Sequence, residues 1–442
     1  MSRFIPFPWK KRLEQDMADA RKYSALLAEW DVRQTGAVQL RALQTIWKDC
    51  VTDVPYYQKL VQTGQAPAAI STWDDFHAIP ELTREILQQR PAGFRRFSGP
   101  PDLTRTTGGS TGTPVKFGVW KSEDQILRML KLVLWQKVGY TPDTRLYLIW
   151  GHAHLLGTGW RRLLNHATRK TKDYLAGYRR ADAYRLSPER CQQIASDLLA
   201  FKPVGLIGYA AALDYFVHST ETFHNRFRKL GVRFVMPAAE PAPRPDTYSL
   251  LRDVFHASIV QEFGGVDFGQ VGMKLDDEPF EIFPDKNLLE AIPSQGQPAD
   301  TGDALVTTLY HRYLPLIRYR QGDVLRGVQR MEHGHVHAFA ELAGRANDMV
   351  TLTSGAMIHS VAFLHCIHQE PAVLNGQLLV DEGGTTLRLV TTDGYDPACE
   401  ARIRHRFRQL DASLSQLRID RACDLETSIA GKRRWFVDKR TH

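Results

Sequence analysis

Apolar residues recur at helical spacing through positions 10–65, set in charged text rich in Ala, Leu and Gln. That pattern predicts helices, ending near DVPYYQ, where Pro55 supplies no backbone donor. Short helices and loops are expected from there to Pro101. Residues 121–138, KSEDQILRMLKLVLWQKV, carry the period of an amphipathic helix. Short apolar runs at 145–150, 204–209, 232–236 and 259–263 then alternate with helical segments such as 187–201 and 244–255. Strands alternating with helices predict a parallel α/β sheet.

The texture changes at Phe280. The runs FEIF, LLEAI, ALVTTLY and LPLIRYR are separated by turn residues and predict antiparallel strands. It changes again beyond Gly344. DMVTLTSGAMIHS has the form of a hairpin, and QLLVD and TTLRLV are alternating strands about a glycine turn. A helix near 397–410 and a strand near 417–421 complete a small α+β unit of about 100 residues, an ordinary domain size. The expected organisation is α/β: a large, multi-layer N-terminal domain over 1–343, with a helical start (1–100) and a core (101–343), then a C-terminal domain over 344–442.

Composition narrows the function classes. A chain of 442 residues is long for one core, so at least two domains are expected. The balance of 57 basic against 49 acidic residues gives +8, mild for this length and dispersed in short clusters. No basic arm or nucleic-acid motif accompanies it, so an anionic small molecule fits better than DNA or RNA. Five widely spaced cysteines form no CxxC, which argues against a disulfide framework or a cysteine zinc site. The start, MSRFIPFPWKKRLEQ, has no long apolar run before a cleavage site, and no segment is apolar enough to span a membrane. A cytoplasmic protein is expected.

The stretch RTTGGSTGTP at 105–114 is the candidate for chemistry. Glycines let backbone amides turn toward an anion, and Ser and Thr hydroxyls add donors. It lacks the lysine of GxxxxGK[ST], and no GxGxxG follows a strand, so neither a P-loop nor a dinucleotide fold is indicated. Taken alone, the stretch is equally a solvated turn.

The ordered set of motifs says more. TTGGSTGTPV resembles the phosphate loop of adenylate-forming enzymes, in the phenylacetate–CoA ligase and CapK-like branch. DVPYYQKL and AIPELTREIL resemble that family's N-terminal segments, IGYAAALDYF its GYPSAL element, and AAEPAP its GxEPL turn. EFGGVDFG stands at its YGxTE, and RYRQGDV resembles YRTGD. LAGRANDMV resembles GRxDDxI, and GKRRWFV the terminal GK element. The resemblance covers nearly the whole chain. It implies ATP- and Mg2+-dependent activation of a carboxylic acid as an acyl-adenylate with pyrophosphate release, followed by transfer to an acceptor. The implied architecture is an adenylation domain with a mobile lid.

By that resemblance, Thr107, Gly108, Gly109, Ser110, Thr111 and Gly112 hold the nucleotide phosphates, with Thr111 also catalytic. Lys116 follows one place later than the usual lysine of this loop. Glu240, Phe263 and Gly264 line the nucleotide site, and Gly265 faces the substrate. Asp323 accepts from the ribose hydroxyls, as a carboxylate does well. Arg345 reaches ribose or phosphate, and Asp348 is the hinge. Lys432 enters during adenylation and bridges the acyl oxygen and the α-phosphate, where a mobile cation offsets developing charge. Val266 and Asp267 stand where the family has Thr and Glu. Asp267 is the metal ligand and a catalytic residue, one methylene shorter, and Val266 has no hydrogen-bonding group. Set against each role is a bland reading: a Gly-Asp turn for Asp323, a boundary salt bridge for Arg345, a basic tail for Lys432.

Histidines are weaker candidates. His152, in WGHAH, is a candidate substrate contact beside His154. His333, His335 and His337 alternate as metal ligands on one strand face would, although Gly334 suggests a hairpin tip. His365 and His368 are expected on a helix surface. The acceptor is expected to be CoA, or else an amine or hydroxyl of a sugar or metabolite in polysaccharide or secondary-metabolite synthesis. The text SGAMIHSVAF, with Ser354, Gly355 and His359, departs from the family's usual VNVFPSQIE. A degenerate nucleotide-binding protein is the rival class, and a homodimer is left open.

Overall fold

The computed structural model describes residues 7–89, 91–94, 100–106, 116–150, 159–183, 186, 188–238, 242, 244–293, 298–345, 349–351, 357–359, 363, 366–367, 370–381, 384–422, 425 and 436–440. A nine-stranded sheet forms the centre of the large part. Tyr178–Ala181, Leu146–Ile149, Gly205–Tyr209, Phe234–Ala238 and Ser258–Gly265 pair in parallel, in that spatial order. These strands and the helices between them, Pro188–Phe201, Ala210–His218 and Thr247–Phe255, enclose one core that includes Leu198, Leu213, Phe216 and Ile259. Each such side chain contributes about 1.5–3 kcal/mol of burial, which is why the apolar runs were visible as buried strands.

The sheet turns antiparallel at Gly269–Leu275, which folds back on Ser258–Gly265 and continues to Phe280–Ile282 and Val336–Phe339. The antiparallel region therefore starts one strand before the change in texture at Phe280. The glycines and the three-residue loop VDF hid that hairpin from a purely hydrophobic reading.

A second sheet lies in the order Leu82–Thr83, Tyr319–Arg326, Gly302–Thr308, Asn287–Ile292, with Glu341–Arg345 also pairing Tyr319–Arg326. Its inward side chains, Leu289, Val306, Tyr319 and Leu325, pack with Phe263, Phe268 and Phe339 of the first sheet. Two helices, Thr35–Asp53 and Pro55–Gln62, cover it through Trp47, Tyr57, Leu288 and Ile317. Pro55 ends the first of these helices and starts the second at its first turn, where a missing N–H costs nothing. The helical pattern therefore continues past the proline instead of stopping there. The first helix, Phe7–Ala28, packs on Lys121–Lys137 around Met17, Ala20 and Leu130.

The C-terminal unit has its own core. Val373–Asp381 and Gly384–Thr391 form the expected antiparallel pair. Arg418–Arg421 and Phe436–Asp438 flank it in parallel, and the helix Pro397–Leu410 packs through Ile403 and Phe407. The strand Phe436–Asp438 was not expected from the sequence. Met349–Thr351 pairs Met357–His359, as expected of a hairpin. The fold is thus a large layered α/β part followed by a small α+β part.

Cys50, Cys191, Cys366 and Cys399 are buried and form no disulfide among the described residues. Among the described residues, no helix is long and apolar enough to cross a membrane.

Candidate active site

The site is organised by the strand Tyr319–Arg326, the RYRQGDV text. What fixes this strand lies behind it. Arg318 is 9% exposed and adopts φ +50°, a conformation that is uncommon for any residue but glycine. Its backbone N–H donates to Thr307 Oγ1 at 2.8 Å. Its guanidinium donates to both oxygens of Glu290 at 3.0–3.2 Å and to the carbonyls of His77 and Ile79 at 2.7 Å. Burial pushes the Glu290 carboxyl above its ordinary range, and Arg318 pulls it back. Arg320 donates to Glu81 at 2.7 Å and to Asp303 at 2.5 Å.

The N-terminal motifs serve as this strand's scaffold. Leu82 and Thr83, from AIPELTREIL, pair in parallel with Tyr319 and Arg320. Tyr57, from DVPYYQKL, donates to the carbonyl of Pro315 at 3.0 Å and accepts from the Ile317 amide at 3.2 Å. Glu123, in the first turn of Lys121–Lys137, accepts from the backbone amides of Arg312 and Tyr313. One buried carboxylate thus holds the loop that feeds the strand.

In front of the strand lies the hairpin EFGGVDFG. Its strands are Ser258–Gly265 and Gly269–Leu275, and its turn is Val266, Asp267 and Phe268. Gly269 has φ +76°, and a Cβ there would come within 2.1 Å of the Tyr310 hydroxyl. Only glycine closes this turn, as three-residue hairpins require. Phe268 goes into the core beside Phe263 and Tyr319. Asp267 is thereby aimed at Tyr319, whose hydroxyl donates to its Oδ2 at 2.9 Å. Val266 is 41% exposed at the tip.

Asp323 follows Gly322, which has φ +96°. Across the ladder it lies opposite Arg345 of Glu341–Arg345. The fold therefore brings together four of the residues singled out in the sequence: Phe263 and Asp267 on the hairpin, Asp323 on the strand, and the backbone of Arg345 beside it. Gly264 and Gly265 end the hairpin's first strand, and Gly265 pairs Gly269.

The segments carrying Thr107, Gly108, Gly109, Ser110, Thr111, Gly112, His152, Glu240, Asp348 and Lys432 lie outside the described residues. So do His154, His365 and His368. The strands bordering the glycine stretch are described: Leu103–Thr106 pairs Lys116–Val119, with Thr106 opposite Lys116. Arg105, on that stem, is ion-paired to Asp124. Next to it, His311 is buried and pushed down to about 3, first by desolvation and then by Arg105. The stem thus stands by Tyr310 and His311, beside the VDF hairpin.

Sequence reasoning passed over Tyr319 as the partner of Asp267, and it passed over Glu123, Tyr57 and the Arg318–Glu290 pair. The available signal was the crowding of polar residues in otherwise apolar text at LPLIRYR and LLEAI. The alternating histidines do not share a strand face. His335 is 1% exposed, whereas His333 and His337 are exposed. His335 Nε2 lies 3.3 Å from His77 Nε2, and Trp73 stacks on His333. Among the described residues, no group of three or more His, Cys, Asp or Glu could hold a metal ion. Asp267 remains a chemically adequate single carboxylate for magnesium, which takes one or two carboxylates and completes its shell with phosphate and water.

No protein-family model matches this chain, and no curated protein matches it by sequence. Solved structures do. The chain superimposes on 2-hydroxyisobutyryl-CoA ligase in the postadenylation state in complex with 2-HIB-AMP, with a TM-score of 0.67 at 16% identity, covering 93% of this chain and 91% of that one. The same ligase in complex with 2-HIB-AMP and CoA in the thioesterification state gives 0.57 at 15% identity, with the same coverage. The ATP-bound chimera RpMatB-BxBclM gives 0.50 at 16% identity, covering 76% of this chain and 67% of that one. The chain has the fold of these ligases, over nearly its full length in the case of the hydroxyisobutyryl enzyme.

Proposed function

We propose that this protein is an AMP-forming acid ligase: it activates a carboxylic acid with ATP as an acyl-adenylate, releases pyrophosphate, and passes the acyl group to CoA. The observation that carries the reading is the convergence on one strand of three separate motifs, with Asp267 hydrogen-bonded to Tyr319 and Asp323 opposite Arg345. The fold is shared with ligases whose solved structures hold an acyl-AMP and CoA, and that supports both half-reactions.

In this reading the domains divide near residues 343 and 344. Residues 107–112 cradle the β- and γ-phosphates, Asp323 and Arg345 hold the ribose, and Asp267 is the magnesium ligand. The metal neutralises phosphate charge as the two anions meet. Lys432 offsets the charge that develops on the α-phosphate, and Asp348 is the hinge about which the small domain swings. Glu240 and Gly264 line the nucleotide, and Gly265 and His152 the acid. Within the family we favour the phenylacetate–CoA ligase and CapK-like branch.

The test is pyrophosphate release with ATP, Mg2+ and a panel of aromatic, hydroxy, amino and short aliphatic acids. At least one acid should release pyrophosphate, and CoA should then yield AMP and a thioester by mass spectrometry. Release without thioester at millimolar CoA would move the acceptor to an amine or hydroxyl. No release with any acid, but a thermal shift with ATP, would favour a nucleotide-binding protein without catalysis, a reading that exposed Val266 at the hairpin tip supports.

A further inference from the structure

Gln321 lies in the middle of RYRQGD and is 8% exposed. Both of its amide atoms, Oε1 and Nε2, are buried, and neither has a hydrogen-bond partner among the described residues. A carboxamide is among the more expensive groups to leave in that state, because it forfeits a donor and an acceptor together. Native structures tolerate such groups rarely, and those that persist mark strain, a catalytic role or a bound group that completes them.

Its position says which ligand. Arg320, the residue before, turns away to Glu81 and Asp303. Side chains alternate along a strand, so Gln321 is on the side of Tyr319, whose hydroxyl reaches Asp267. The ladder is broken at this point. Asp303 pairs Val324 and Leu305 pairs Arg320, so Gln321, Gly322 and Asp323 lie opposite the single residue Ala304. Bulges of this kind re-aim side chains and occur beside functional sites. The YRTGD element that this text resembles has threonine at the place of Gln321, a shorter group with one hydroxyl.

We propose that Gln321 is a contact residue of the nucleotide site, and that its carboxamide both donates to and accepts from the nucleoside part of bound ATP. This rests on the nucleotide-binding reading above. The matching chemistry is a group that also donates and accepts, either the amino and ring-nitrogen edge of adenine or a ribose hydroxyl. Asp323, two residues on, is assigned to the ribose as well, so the two side chains would grip one nucleoside from a single bulged segment.

The test uses the full chain and two variants, Gln321→Met and Gln321→Ala. Methionine keeps most of the volume and needs no partner. The Met variant should melt at or above the wild-type temperature without ligand, since it removes an unsatisfied polar group. Its affinity for ATP with Mg2+, measured by calorimetry, should nevertheless fall about tenfold. Alanine should bind as weakly, which keeps the test open should methionine not fit. A structural glutamine would show the reverse: a lower melting temperature and an unchanged dissociation constant.

Analogues locate the contact. If the ribose is the partner, wild-type protein should discriminate against 2′- or 3′-deoxy-ATP about tenfold more strongly than the Met variant, which keeps only the Asp323 contact. If adenine is the partner, the same loss should appear with ITP. Equal discrimination by wild type and variant against every analogue would overturn the assignment, as would an unchanged ATP affinity. If wild-type protein itself does not bind ATP, the nucleotide reading falls, and Gln321 with it. If wild type binds and the variants bind equally, only Gln321 falls.

Discussion

The two sides of the chain at 318–323 are opposites. On the rear, Arg318 and Arg320 meet the three carboxylates of Glu290, Glu81 and Asp303 and the carbonyls of His77 and Ile79, and the N-terminal helices close over them. On the front, Tyr319 reaches one carboxylate on a hairpin tip, and the Gln321 carboxamide has no hydrogen-bond partner among the described residues. Both sides are buried and both are polar. The difference is satisfaction. A fully paired buried group holds the backbone in one place, whereas a group left unpaired raises the energy of the empty protein and is retained where a ligand completes it. The strained backbone at Arg318 fits the same division, since strain persists where surrounding contacts over-determine it.

The largest effect is expected from the rear. Arg318→Ala removes the only described cation bonded to Glu290 and frees the carbonyls of His77 and Ile79. Breaking one partner of a buried ion pair costs about 3–5 kcal/mol, so chemical denaturation should show a loss of that order. Glu290→Gln should cost less, because the amide oxygen still accepts from the Arg318 guanidinium, which keeps its bonds to the carbonyls of His77 and Ile79. Equal losses would mean that the pair is not acting as a pair.

A smaller effect should appear with pH, again behind the strand. His335 faces His77, His333 and Arg318, and His77 faces Arg318, His333 and Asp74. Burial comes first and the neighbouring cations second, and together they push His335 down to about 3 from an ordinary 6.5. The folded state therefore favours the neutral ring. That stability is fully present above pH 6.5 and is lost as pH falls from 6.5 toward 3, by about a kcal/mol or more per unit at most. His335→Leu should flatten the acid limb of the denaturation profile between pH 6.5 and 4. An acid limb of the same slope in the variant would place the sensitive group elsewhere.

How far these features were legible in the sequence follows from the kind of signal each leaves. The buried parallel strands and the helix Lys121–Lys137 were visible because burial writes apolar periodicity. Asp323 and Asp267 were visible because motif text survives around them. The Arg318–Glu290 pair was not: its partners are 28 positions apart, and nothing local in either segment names the other. Tyr57 hid for the same reason, since its 258-residue reach to Pro315 depends on the tertiary fold. Gln321 hid for a subtler one. A glutamine in a strand looks like a solvent-facing residue until burial and partners are both known. The histidines at 333, 335 and 337 share no strand face because Gly334 marks a hairpin turn, as its place in the sequence suggested, and His333 precedes the strand Val336–Phe339.

The smallest effect tests the front directly. Tyr319→Phe deletes the hydroxyl that donates to Asp267 Oδ2 at 2.9 Å and leaves the ring in its core beside Phe268. A hydrogen bond to a carboxylate contributes about 1.5–3 kcal/mol to folding. Asp267 can recover part of that by turning to water, so the loss should sit at the low end. The carboxylate's aim should suffer more than the fold does. If Asp267 is the magnesium ligand, a freely rotating carboxylate is a poorer one, and the magnesium concentration for half-maximal pyrophosphate release should rise several-fold. Denaturation and a magnesium titration on the same preparation separate the two effects. A loss of stability above about 3 kcal/mol with an unchanged titration would make Tyr319 another scaffold residue, and the front of the strand would then be built like the rear.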